Sequence, residues 1–469
     1  MNKLILFELN EVPVRIIKHF VASQPASWLA RNLPRMRKFN TISENQGHLS
    51  PWNTWPTVHR GVANNKHFIS DFSQDLSEVD KEFPPIWSIL TENGIKTGVF
   101  GSLHSYPLPQ NAAEFAFFVP DVFAAGSECF PENIEPYQDA ILRLSRESGR
   151  NVDTRVHPAL MAKLLLKSGE LGFKAKTMTD VAGQLVSERV TPWKGTRRRT
   201  YQTVIAFDVF EKLLATTRPD FATFFTNHVA SNMHRYWAGL FPGDYENARF
   251  DREWIDRYGG EVMFAMKKAD KMLARLGRFV ENDPAYKLVI TSSMGQAAVE
   301  CEPIETQLYI VDDARFMRVL GINYEAIRMP SMLPQFNYQS SSDGIANIAE
   351  AISSLMIDGE PINYRIHEGD MISIDLGHGN LKASSITFKG EQTEPGSAGL
   401  ENVLIEDRSA SSAYHIPEGH LFVYHPAFEK NDLAETQMPT AEIAPMILRN
   451  FGISRPEYMP VINGDLLLG

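Results

Sequence analysis

The sequence predicts an α/β fold, and three observations carry the prediction. Short apolar runs at Leu4 to Leu9, Lys96 to Gly101, Phe221 to Thr226 and Lys287 to Thr291 have the length and bulk of buried strands. Helical patterns separate them in a β-α-β rhythm. At 469 residues and 43% hydrophobic content the chain can fill a large core. That suits one big α/β domain with insertions, or two domains.

The elements follow in order. Leu4 to Leu9 is interrupted only by Glu8, and Asn10, Glu11 and Pro13 follow its end. In open α/β sheets ligand sites gather at the carboxyl ends of strands, so these polar residues are site candidates; the alternative is a loop that caps the next helix. Pro84-Pro85 opens a helix that stops before Gly94, a C-cap type of residue. Phe115 to Pro120 is a further apolar run before Asp121. Residues 135–199 are more polar, with helical spacing around Leu160 to Leu166, and read as an inserted helical cap. They end in Arg197-Arg198-Arg199, a solvated face or an anion-gathering rim. A helix from about Tyr201 to Thr216 precedes the Phe221 to Thr226 strand, which runs into His228 and His234. One long amphipathic helix is expected from Trp254 to Val280, before Lys287 to Thr291 and then Ser292 to Gln296. Residues 300–409 change character: Met371 to Leu376 and Ala383 to Phe388 alternate with Gly- and Asp-rich turns, as in an α+β insertion. A strand through Leu421 to Tyr424 and a helix ending at Gly452 close the chain.

Composition narrows the functions. The net charge is −11 and the pI near 5.7, which disfavours a nucleic-acid-coating role. A local basic pocket would still take a small anion. Cys129 and Cys301 are the only cysteines, far apart, so neither a CxxC metal or redox motif nor a disulfide framework is indicated. The first apolar run is too short for a signal peptide or a membrane span, and no later stretch reaches about 18 uncharged apolar residues. A soluble, cytoplasmic protein is expected.

The stretch Ser50-Pro51-Trp52-Asn53-Thr54-Trp55-Pro56-Thr57-Val58-His59-Arg60-Gly61 stands out. Proline is tolerated in a helix's first turn, so Pro56 places Thr54 just before a helix N-terminus. Free N–H groups and the macrodipole attract anions there. Thr54 is then either a helix cap or a hydroxyl poised to attack a phosphate- or sulfate-like centre.

Several ordered pieces together resemble the alkaline phosphatase superfamily, in its type I phosphodiesterase/nucleotide pyrophosphatase branch. They are Asn53-Thr54-Trp55-Pro56 with Gly61 and His67, Pro85-Ile86-Trp87 through Gly94 and Gly101, and Val119-Pro120-Asp121. His234-Arg235-Tyr236-Trp237, Ser292 to Gln296, His415 to Gly419, and Glu442-Ile443-Ala444-Pro445 through Gly452-Ile453 continue them. The similarity spans residues 1–469 as a single domain, apart from the two insertions. It implies a mostly parallel sheet with helices on both faces, two metal ions and a Thr or Ser nucleophile, which falls on Thr54.

Most of the ligands that the resemblance implies are replaced. Asn10, Ala230, Ser293 and Met294 stand where acidic or imidazole groups are expected, and only His234 and His415 match. Neutral amide, hydroxyl and thioether groups hold a borderline dication poorly, so a two-metal site is not expected. Three arrangements stay open. Glu11 replaces Asn10, or His228 joins His234 and His415 around one zinc or manganese ion. Otherwise His59, Arg60, His67 and the helix N-terminus hold the anion without metal. Gln296 and Ser293 are further ligand-binding candidates. The expected ligand is a small phosphate-containing ester, such as a nucleotide or sugar derivative. Two functions compete: a phosphate-ester hydrolase or phosphoryl transferase using Thr54, and a non-catalytic phosphate-ligand-binding protein on the same fold.

Overall fold

The computed structural model describes residues 2–45, 47–71, 74–147, 164, 166–247, 249–323, 326–329, 331, 335–367, 370–377, 379–380, 385–430 and 436–462. Two compact units are present. One comprises residues 1–142, 156–301 and 411–469, and the other residues 143–155 and 302–410.

The larger unit is built on β1 (Lys3–Leu9). Leu4, Ile5, Leu6, Phe7 and Leu9 are each at most 1% exposed, as a strand covered on both faces requires. Each such side chain contributes about 1.5–3 kcal/mol on burial. After it come α1 (Val14–Ser23), α2 (Trp28–Asn32) and β2 (Arg37–Ile42). The chain continues through α3 (Pro51–Arg60), β3 (Thr97–Phe100), β4 (Phe117–Val119), β5 (Phe221–Thr226) and β6 (Tyr286–Thr291). In the eight-stranded sheet β1 lies between β5 and β6, with β3 and β4 beyond β5. On the other side come strand Glu418–Tyr424, β2 and strand Thr436–Pro439. Every neighbouring pair is parallel except those made by Glu418–Tyr424. Pairing of Leu9 with Thr226, and of Glu8 with Thr291, brings the carboxyl ends of three central strands together.

Two expected elements differ. Helix α3 begins at Pro51, capped by Ser50, whose hydroxyl accepts from Trp52 N–H while its own N–H donates to Asn53 Oδ1. Thr54 therefore sits inside the first turn, not before it, and Pro56 is interior. Gly61 ends the helix in a left-handed conformation, φ +63°. The long helix expected from Trp254 to Val280 is two helices, Arg252–Tyr258 and Glu261–Asn282, broken at Gly259-Gly260. At Gly259 the backbone carbonyls of Gly239 and Ile255 would each lie 2.7 Å from a β-carbon.

Helices Glu135–Glu147, Ser168–Leu171 and Ala175–Val190 fall within residues 135–199. Of the spacing noted from Leu160 to Leu166, only residues 164 and 166 belong to the described residues. The second unit has its own core, including Phe336, Tyr338, Ile348, Ile372 and Ile386, under two four-stranded antiparallel sheets. Among the described residues no helix is long and apolar enough to cross a membrane.

Candidate functional site

At the end of β1 the Asn10 N–H still donates to Thr226 O, 3.1 Å away. The next residue leaves the strand abruptly: Glu11 has φ +58°. A left-handed backbone costs a non-glycine residue about 1–2 kcal/mol, and such strain collects at working sites. Here it turns a carboxylate inward, 2% exposed. Oε1 of Glu11 accepts from Asn10 Nδ2 at 2.7 Å. Oε2 accepts from Gln296 Nε2. The same Oε2 faces His234 Nε2 at 2.9 Å and His415 Nε2 at 3.3 Å.

Both imidazoles are aimed from behind. His234 lies on helix His228–Leu240, and its Nδ1 is 2.8 Å from Ala413 O. His415 lies on strand Ala413–Ile416, and its Nδ1 is 2.7 Å from Leu49 O. Carbonyl oxygens only accept, so both Nδ1 atoms carry hydrogen. In the neutral tautomer both Nε2 lone pairs then point at one carboxylate oxygen. That arrangement repels unless a cation lies among the three atoms, either a proton or a metal ion. Titration follows the same logic. Burial raises the Glu11 carboxyl, but His415 and His234 outweigh it and hold it well below the usual range. Burial lowers His415, and Glu11 with Leu49 O outweighs that and raises it.

The donor set fits a divalent ion. One carboxylate oxygen and two imidazole nitrogens lie within 4.8 Å of one another. Two histidines with one carboxylate are a three-ligand set that zinc accepts while keeping an open position. Each ligand is also held by a second group, as oriented metal ligands are. Gln296, 1% exposed, leaves its Oε1 without a partner among the described residues. It follows Gly295, where an added β-carbon would lie 2.3 Å from Glu418 O. Glycine there lets β7 (Gly295–Ala298) pair closely with Ala413–Ile416, bringing Gln296 opposite His415.

Thr54 and Ser293 form a hydroxyl pair, 2.8 Å apart, both fully buried. Thr54 Oγ1 also donates to Ser50 O at 3.1 Å. Its hydrogen is thus used, and Ser293 is the donor in the pair. Its helical neighbour Trp55 donates from Nε1 to Asn10 Oδ1 at 2.7 Å. Thus α3 carries Thr54 and also touches the frame of Glu11.

Other expected site residues are engaged elsewhere. His228 is not in the Glu11 cluster: its Nδ1 bonds Thr226 Oγ1 and its Nε2 donates to Ala265 O at 3.2 Å. Burial lowers it to about 4, so it is neutral. Arg60 is 1% exposed, paired with Asp80 at 2.8 Å and donating to Phe83 O at 2.5 Å. His67 accepts from Ile69 N–H at 2.9 Å through Nδ1 and donates to Thr57 Oγ1 at 3.1 Å. Burial lowers it to about 3. His59 binds Glu8 Oε1 at 2.7 Å and stacks on Trp55. The helix N-terminus does not supply an anion hole. Pro51 has no N–H, Trp52 N–H binds Ser50 Oγ, and the next two bind Ser50 O. A serine cap with proline behind it consumes the donors that the expectation had assigned to an anion.

The sequence left two features of the site unseen. The Asn10–Trp55 bond joins residues 45 apart and has no local signature. The carbonyls of Leu49 and Ala413 act through backbone, where residue type carries no signal.

No protein-family model and no curated protein matches the sequence. Solved structures do resemble the fold along its length. Murine ectonucleotide pyrophosphatase/phosphodiesterase 5 aligns with a TM-score of 0.41 and 10% identity, covering 98% of this chain and 97% of its own. An inactive variant of that protein in complex with AMP gives 0.40 at 10% identity, with 99% and 97% covered. The human protein gives 0.39 at 10% identity, with 97% and 96% covered. At such identity the likeness concerns the fold alone.

Proposed function

We propose that this chain processes small phosphate-containing esters, as a hydrolase or phosphoryl transferase, at a centre holding one divalent ion. Zinc or manganese would be held by Glu11 Oε2, His234 Nε2 and His415 Nε2. The observation that carries this reading is the convergence of two Nδ1-protonated imidazoles on one carboxylate oxygen. When bound, such an ion polarises a phosphoryl oxygen as a Lewis acid. Thr54 supplies the nucleophilic hydroxyl in this reading, and Ser293 orients it. Nucleotide and sugar derivatives are the proposed ligands. A cytoplasmic setting goes with the two unpaired cysteines.

A second reading rests on Thr54 itself. Its complete burial and its bond to Ser50 O suit a structural hydroxyl, and with it a non-catalytic protein that binds a phosphate ligand.

The test begins with metal content of protein purified without chelator. One ion per chain is expected. Wild type and Thr54→Ala are then assayed on aryl phosphate mono- and diesters and on nucleotide sugars, with zinc or manganese added. Turnover by wild type and none by the variant is expected. Equal rates would remove Thr54 as nucleophile. Binding of a phosphate ligand without turnover across the panel would establish the second reading instead.

A further inference from the structure

Resting on the one-ion reading, we propose that Asn10 is the positioning residue of the centre, and that its neutral amide leaves the loaded centre positively charged. Three contacts lock the Asn10 side chain, which is 1% exposed. Oδ1 accepts from the Trp55 indole at 2.7 Å, and Nδ2 donates to Glu11 Oε1 at 2.7 Å and to Asn227 Oδ1 at 2.8 Å. An indole N–H can only donate, so the amide oxygen must face Trp55. The amino group must then face the two oxygens. Turning the amide round would set two donors against each other and oxygens against oxygens, all in a buried place.

The consequence falls on Glu11. Oε1 is occupied by the amide, so Oε2 alone turns to His234 and His415. A single carboxylate oxygen is offered, in a fixed direction. Aspartate at position 10 has no hydrogen to give. It would place an anionic oxygen against Glu11 Oε1 and Asn227 Oδ1. The amide also sets the charge. One carboxylate and two neutral imidazoles bring −1, so a divalent ion leaves the centre at +1. A net positive, partly buried centre favours an anionic ligand, in keeping with a phosphate ester. A second carboxylate would cancel that charge.

The experiment uses the full chain stripped with chelator. Zinc and manganese binding is measured by calorimetry for wild type, Asn10→Ala, Asn10→Asp and Trp55→Phe. Cobalt absorption spectra of the same proteins report the ligand field. Asn10→Ala should bind zinc about 10- to 100-fold more weakly and shift the cobalt bands. Trp55→Phe keeps an aromatic side chain but loses the indole N–H and part of a fully buried ring system, so it should weaken zinc in the same direction and shift the same bands. Should Asn10→Ala fail to fold, the Trp55→Phe result decides. Asn10→Asp loses the donor, so it should show the shifted cobalt bands of Asn10→Ala, and with metal bound it should take inorganic phosphate more weakly than wild type; unchanged phosphate affinity would overturn the charge argument. Zinc binding by wild type with unchanged affinity and spectra in Asn10→Ala and Trp55→Phe would overturn the positioning role alone. Wild type that binds neither zinc nor manganese would remove the one-ion reading and this inference together.

Discussion

Glu11 carries backbone strain and a buried charge, and both are costs unless something is gained by the arrangement. In the one-ion reading a cation would supply that gain. Glu11→Gln keeps the volume and removes the charge, leaving two imidazoles with no anionic oxygen between them. Zinc at 100 times its dissociation constant should stabilise wild type by about 2.7 kcal/mol, read as a rise in melting temperature. The Glu11→Gln protein should show no such rise. An equal rise in both would place the ion elsewhere. At this scale the sequence was half legible. Asn10, Glu11, His234, His415 and Gln296 stand out as polar residues just past strands, in helices or near turns. Which carboxylate faces the imidazoles depends on amide orientation and on one left-handed residue, and neither is written in residue type. His228 looked equivalent to His234, yet Thr226 intercepts its Nδ1 and Ala265 O its Nε2.

Helix α3 shows why element boundaries were harder to read than element types. Two prolines offered two possible starts, and Pro51 with its Ser50 cap won. That leaves Pro56 inside the helix, where it cannot donate to Trp52 O. The structure answers this with His104, whose Nε2 donates to Trp52 O at 2.8 Å. Burial lowers His104 to about 3, so it is a neutral donor. His104→Ala should remove this bond and cost about 0.5–1.5 kcal/mol, measured by urea unfolding. Pro56→Ala restores an N–H at the same place, so it should recover part of the loss in the His104→Ala background. A double-mutant cycle should therefore show coupling. Additive effects would mean that His104 acts only by filling space. The strands were legible because apolar runs bounded by turn residues mark them, whereas this repair spans 52 residues between Trp52 and His104.

Across the whole molecule the α/β class was readable from the local rhythm. Strand order was not, since β1 is flanked by strands more than 200 residues away. The same packing buries histidines far apart in sequence. Desolvation lowers His67 and His104 to about 3, and His228 and His420 to about 4. In the unfolded chain each returns to about 6.5. Between those values the unfolded state binds more protons, so stability is full above pH 6.5 and falls as the pH drops toward 4. Each group removes about 1.4 kcal/mol per pH unit in that window. Asp121 works the other way: burial raises it to about 6, so its protonation in the fold restores some stability as the pH falls below that. The global charge also opposes the loss, since −11 shrinks toward the pI near 5.7 and self-repulsion eases. A net fall in unfolding free energy from pH 7 to 4.5 would therefore come chiefly from the buried histidines. Carboxylates held low against burial by cationic partners, such as Glu211 beside Arg275 and Lys174, add a smaller loss at the acid end. We expect that fall in chemical unfolding of wild type. His228→Gln, which has no proton to gain, should lessen the slope by about one proton's worth, near 1.4 kcal/mol per pH unit. Stability that stays flat or rises on acidification, or a variant with the wild-type slope, would mean that these imidazoles protonate without unfolding the chain.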